Sequence, residues 1–200
     1  MSNKVTLKEG LKDKSFSEKM DYLWTYYKVH IIAILAIVLL LSIFISDQLS
    51  KQTAYCNIKY IDDSVQNQEL VIAGDKLNDI VLNNDKDYVI NFDSQFEMVY
   101  ISNRQIDIAI VSKEFFEENY PYNMFLDLDT LKGFSDLPLE NHNLIKRTDS
   151  AGKSGTYGIE VKDLNILKDI HSKDDDNILV VISNTDHSDS VMNVLKAFFE

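Results

Sequence analysis

Residues 106–116 read I-D-I-A-I-V-S-K-E-F-F, and this stretch decides the fold. Residues 106–111 form a short apolar run, as expected of a strand buried on both faces in a mainly parallel sheet. Ser112 stands where a helix cap is wanted, Glu114 falls in the first turn, and Phe115 and Phe116 follow. A strand that runs directly into a capped helix is the joint of a βαβ unit.

The same alternation extends in both directions. Upstream, residues 54–61 (A-Y-C-N-I-K-Y-I) alternate apolar with polar and predict a strand that Asp62, Asp63 and Ser64 end. Leu70, Ala73, Leu77 and Ile80 predict a helix over 69–82, stopped by Asn83, Asn84 and Asp85. Residues 87–92 (D-Y-V-I-N-F) predict a second strand, and Asp93 or Ser94 can cap a helix carrying Phe96, Val99 and Tyr100.

Downstream, residues 121–140 read as loop and short helix, punctuated by Pro121 and Pro138. Residues 157–161 (Y-G-I-E-V) predict a strand, 164–170 a short helix and 173–177 a solvated turn. Residues 178–183 (I-L-V-V-I-S) predict another buried strand. Ser188 is placed to cap a last helix with Val191, Val194, Leu195 and Phe198 facing inward. The expectation is an α/β domain: one twisted, mainly parallel sheet flanked by helices. No internal repeat recurs at a fixed period.

A different pattern precedes this domain. Residues 29–46 (V-H-I-I-A-I-L-A-I-V-L-L-L-S-I-F-I-S) are apolar on every face, which suits a membrane span rather than a core helix. Tyr22, Trp24, Tyr26 and Tyr27 form an aromatic belt for the lipid–water boundary, and Lys28 can snorkel toward the headgroups. Before residue 29 six lysines face four acids, and beyond it 14 basic residues face 28 acidic ones. The positive-inside rule places the N-terminus in the cytoplasm and the domain outside. No small-residue cleavage site follows the apolar run, so the segment is expected to stay as an anchor in the plasma membrane. Ser15 and Glu18 have the spacing of a capping box, from which a helix can run unbroken into the membrane. The expected organisation is a cytoplasmic tail at 1–28, a span at 29–46, a polar stalk at 47–53 and an extracytoplasmic domain at 54–200.

Charge narrows the function classes. The net charge of -12 argues against nucleic acid, whose phosphates need clustered Lys and Arg. Cys56, the single cysteine, cannot form an internal disulfide and reads as a half-buried strand residue. Residues 149–156 (D-S-A-G-K-S-G-T) contain G-K-S, but a phosphate loop needs a glycine where Arg147 stands. Asp186, His187 and Ser188 are adjacent in sequence, whereas a catalytic triad is defined by geometry. His142, His171 and His187 lack zinc spacing, and 174–176 lacks the alternation of a calcium loop. Asp127 and Asp129 read as part of a solvated loop. No cofactor motif, metal motif or catalytic set emerges, so the chain is expected to bind rather than catalyse.

In open α/β sheets, ligands bind beyond the carboxyl ends of the strands. That rule selects Asp62, Asp63 and Ser64, then Asp93 and Ser94, then Ser112 and Glu114 as the edge for a ligand or partner. Turns and helix caps account for the same residue types.

The order strand, helix, strand, helix, I-D-I-A-I-V-S-K-E-F-F and F-L-D-L-D-T-L resembles extracytoplasmic solute-binding proteins of the type 2 periplasmic-binding fold. Y-G-I-E-V at 157–161 and the closing I-S-N-T-D-H-S-D-S-V-M-N-V-L-K-A-F-F are similar to that family's returning strand and last helix. The anchor S-E-K-M-D-Y-L-W-T-Y-Y-K-V-H-I-I resembles single-pass membrane proteins of low-GC Gram-positive bacteria. The resemblance implies one lobe, half of a periplasmic-binding-protein-like fold. It also implies an accessory subunit beside an integral-membrane partner, such as an ABC-type transporter, with a small-molecule ligand left open. The alternative expectation is an immunity protein that binds an external peptide or toxin.

Overall fold

The computed structural model describes residues 15–49, 52–62, 64–83, 85–148, 152–173 and 176–199. They divide into two compact units, Met1–Lys51 and Gln52–Glu200.

In the first unit, one helix, α1 (Phe16–Leu49), runs for 34 residues, about 51 Å at the usual rise. Its start is the expected capping box: the Ser15 N–H donates to Glu18 Oε2 at 2.7 Å, and the Glu18 N–H donates to Ser15 Oγ at 3.4 Å. The stretch Phe16–Phe44 is long and apolar enough to cross a membrane. Within it, Ser42 Oγ donates to the Val38 carbonyl at 2.8 Å, which satisfies the hydroxyl inside the helix. The rings of Tyr22 and Tyr26 lie 4.8 Å apart, and Tyr27 meets His30 edge-on at 6.0 Å, so these rings cluster along one part of the helix. Of the polar stalk expected at 47–53, residues 47–49 continue α1 and residues 50 and 51 lie outside the described residues. No Gly or Pro breaks α1 before Leu49, and the first strand begins at Thr53.

The second unit is built on six strands: β1 (Thr53–Ile61), β2 (Tyr88–Asp93), β3 (Ile108–Val111), β4 (Leu144–Thr148), β5 (Ser154–Glu160) and β6 (Ile178–Val181). Their order is β2-β1-β3-β6-β5-β4. β1 pairs parallel with β2 and β3, while the β3–β6, β6–β5 and β5–β4 pairings are antiparallel. The sheet is therefore mixed, not mainly parallel. β4, absent from the sequence expectation, is the cause on one side. Its residues L-I-K-R-T carry no apolar run, and only five residues separate it from β5, a connection that permits only an antiparallel turn. That turn holds the glycine-rich segment, with Gly152 at φ 81°.

Side-chain alternation sorts the core into two layers. Cys56, Ile58 and Tyr60 of β1, Ile108 and Ile110 of β3, and Leu179 and Val181 of β6 face one side. Helices α2 (Asn67–Leu82) and α5 (Ser188–Phe198) cover it with Leu70, Ala73, Leu77, Val191, Val194, Leu195 and Phe198. Ala109, Val111, Ile178 and Val180 face the other side, beneath Phe116 of α4 (Lys113–Asn119) and Phe125, whose rings stack at 5.0 Å. The short helix α3 (Met98–Ser102) contributes Tyr100 and Ile101 to this second layer.

Two expected caps are placed differently. α3 starts from Glu97, because Asp93 turns back to accept the Gln95 N–H at 2.9 Å and Ser94 Oγ donates to Asn67 at 2.9 Å. α5 starts from His187 rather than Ser188: the Val191 N–H reaches the His187 carbonyl at 2.8 Å, and no side chain caps it. Ser112 caps α4 as expected, its Oγ accepting the Phe115 N–H at 3.2 Å.

At Gly158 of β5, any Cβ would run into Ile178 of the neighbouring strand. We expect Gly158→Ala to lower the unfolding free energy of the domain by about 1–3 kcal/mol in urea titrations, the usual cost of overpacking.

Candidate functional site

β1 connects to β2 through α2 on one face, and β2 connects to β3 through α3 on the other. The chain thus leaves β1 toward opposite sides of the sheet, which opens a crevice between the carboxyl ends of β1 and β3. Because β6 is antiparallel, its first residues return to the same edge, as does the segment after β5.

A cavity of about 230 Å³ lies there, lined by Tyr60, Lys162, Lys168, Ser172 and Asn177 together with Val161, Leu167 and Ile170. Its floor is a chain of hydrogen bonds. Asn177 is 1% exposed, and its Nδ2 donates to Tyr60 Oη at 3.1 Å and to Ser172 Oγ at 2.8 Å. Ser172 Oγ donates to Asp62 Oδ2 at 2.6 Å, and the Ser64 N–H donates to Asp62 Oδ1 at 2.7 Å. The Lys173 N–H closes the run on Ser64 Oγ at 3.1 Å. Partial burial would raise the Asp62 pKa, but the bonds from Ser172 and Ser64 and the charge of Lys173 outweigh it and hold the carboxyl below its ordinary range.

The edge residues selected from sequence separate into groups. Asp62 and Ser64 stand at the crevice. Asp63 lies outside the described residues. Asp93 is one strand away, in an ion pair with Lys59 Nζ at 2.6 Å, and Ser94 ties to the start of α2. Ser112 and Glu114 open α4, whose Phe116 packs on the other face, and Glu114 is exposed. Tyr60, Lys162, Lys168, Ser172 and Asn177 escape the strand-end rule. Ser172 and Asn177 precede β6, whose start reaches this edge only because β6 is antiparallel to β3, and Lys162 and Lys168 follow the carboxyl end of β5.

The other tempting groups are accounted for locally. Asp186 turns to Arg104, which donates to both of its oxygens at 2.6 and 2.8 Å. His187 Nδ1 instead meets Asp107 at 3.1 Å. Asp107 is fully buried and also accepts from the Asn57 N–H at 2.8 Å and from Thr185 Oγ1 at 2.5 Å. This aspartate–histidine pair sits at the amino end of β3, beside the middle of β1. Cys56 is buried beside it, and both burial and the charge of Asp107 push its thiol pKa up, away from a nucleophilic thiolate. Asp127 pairs with Lys153 at 2.9 Å, and Asp129 accepts the Thr156 N–H at 3.0 Å, fastening their loop to β5. His171 pairs with Glu69 at 2.9 Å. Among the described residues, no group of His, Cys, Asp and Glu is arranged to hold a metal ion.

A carboxyl with a lowered folded-state pKa adds stability above its unfolded-state value, and that stability is lost as pH falls through the folded-state value. Asp62→Asn should therefore flatten the acid limb of the stability curve below about pH 4, measured by denaturant midpoints against pH. Asn177→Ala should cost about 1–3 kcal/mol at neutral pH, because it strips Tyr60 and Ser172 of a buried donor.

No family model matches this chain, and comparison with curated proteins and with solved structures likewise gives no match.

Proposed function

We propose that the chain is a membrane-anchored binding or accessory subunit. In this reading α1 spans the plasma membrane with its N-terminus in the cytoplasm, and the α/β domain outside presents its crevice to an integral-membrane partner. An ABC-type transporter is the partner class that the resemblance suggests. The observation that carries the reading is the polar cavity at the switch point of the sheet, in a chain whose N-terminal helix is apolar enough to cross a membrane. The lysine excess before residue 29 and the acidic excess after it support the orientation. The buried amino-edge pair Asp107–His187 is satisfied by β1 and by the loop before α5, which suits a structural tie better than a reaction centre.

Orientation can be read directly, because Cys56 is fully buried and Tyr122 is 80% exposed. In intact cells, Tyr122→Cys should react with a membrane-impermeant maleimide while the parent chain stays unlabelled. Labelling only after lysis would reverse the topology. The binding role is tested by purifying the full-length chain from its native membrane in mild detergent. A stoichiometric membrane partner is expected, reduced at least about fivefold when Ser172→Trp fills the crevice. A monomer that captures nothing under gentle crosslinking contradicts the reading.

A further inference from the structure

The charge of the crevice sets it apart from two other cavities of the domain. A groove of about 390 Å³ along α2 carries Asp79, and one of about 320 Å³ beside β2 carries Asp75, Asp79 and Asp85. Each also holds one lysine, so neither has a net positive lining. Among the described residues, the charged ones lining the crevice are Lys162 and Lys168. In a chain with 32 acidic and 20 basic residues, that is a local reversal of sign. Asp62 does not line the cavity, and its carboxylate is tied to Ser172 and the Ser64 backbone by hydrogen bonds.

The positions of the two lysines follow from the backbone. Lys162 lies in the single turn Val161–Asp163 directly after β5, and Lys168 follows the turn Asn165–Leu167. The apolar residues between them are anchored: Leu164, Ile166 and Leu167 are buried in the layer under α2. The segment is thus pinned by its core side chains while its lysine stems are left at the cavity. Ser172 and Asn177 supply the polar floor, and Asn177 is almost wholly removed from solvent.

We infer that the crevice takes an oxyanion group of its ligand, a carboxylate or a phosphate, between Lys162 and Lys168. This rests on the proposed binding role of the crevice and adds the chemical class. A cation placed there would face two ammonium groups. A neutral ligand would leave both without a counter-charge. An oxyanion accepts charge-assisted hydrogen bonds from both, the stronger kind of polar contact. The cavity volume is below the usual range for a drug-sized ligand, so the site holds one group of a larger molecule or a small anion, not an extended solute.

The test titrates the full-length chain, in uncharged phosphatidylcholine nanodiscs, with inorganic phosphate and with succinate by calorimetry. Putrescine and glycerol serve as cationic and neutral probes. Saturable binding of phosphate or succinate is expected, weakened at least about tenfold in a Lys162→Gln, Lys168→Gln double variant. Lys132→Gln, an exposed lysine outside the crevice, should leave it unchanged. Nanodiscs containing phosphatidylglycerol identify the source: competition with succinate means a lipid headgroup, and no competition means a soluble ligand. If neither anion binds, or the double variant binds as the parent does, the inference is overturned. If putrescine or glycerol binds instead and Ser172→Trp abolishes it, the anion assignment fails while the crevice remains a binding site. If Ser172→Trp leaves partner capture from native membranes unchanged, it is the binding role of the crevice that fails.

Discussion

Strand β3 has all four residues buried, so it must be covered on both faces and hydrogen-bonded on both edges. The rest of the domain answers those demands. β1 takes one edge in parallel register, Ile58 with Ile108 through Ile61 with Val111, and β6 takes the other in antiparallel register. Ile108 and Ile110 call for α2 and α5 on one face, and Ala109 and Val111 call for α4 on the other. Asp107, immediately before the strand, fixes its entry: its carboxylate holds the β1 backbone at Asn57 and the loop before α5 at Thr185 and His187. A fully buried carboxylate is tolerable only with such a set of donors, and its removal would leave three of them without an acceptor.

The crevice is a by-product of this arrangement. Covering both faces of the sheet requires crossovers on opposite sides of β1, and that reversal separates the loops at the carboxyl ends of β1 and β3. The polar residues that line the gap serve the fold as well. Asn177 ties the start of β6 to Tyr60 of β1, and Ser172 ties the preceding loop to Asp62. These lining residues are thus part of the fold, while Lys162 and Lys168 carry charge without a fold-stabilising ion pair among the described residues.

Sequence periodicity showed the first half of the domain well. The strand–helix–strand pattern of 54–92 and the run at 106–116 have strong local signals: alternation, helical spacing of Leu70, Ala73 and Leu77, and a working Ser112 cap. The second half was less legible because its strands are specified by distant partners. β4 is an edge strand with only one well-paired side, so L-I-K-R-T needs no apolar run and shows none. The antiparallel direction of β6 follows from connection geometry that no local pattern encodes, and with it went the position of Ser172 and Asn177. Asp93 and Ser94 illustrate the reverse case, in which cap-forming residues with the right spacing serve a turn and a tertiary contact instead. The apolar helix over 29–46 and the capping box ahead of it were plain from the sequence, since long apolar runs and helix starts are the most local signals in this chain.

The central claim is that this crevice is the surface through which the domain meets its ligand or partner. Hydrogen–deuterium exchange of the full-length chain, compared between native membrane vesicles and detergent, tests it most directly. The account predicts added protection in native membranes at 58–65 and 160–177, with α4 and the β4 edge unchanged. Protection confined to α4 or β4, or no difference between the two preparations, would contradict it.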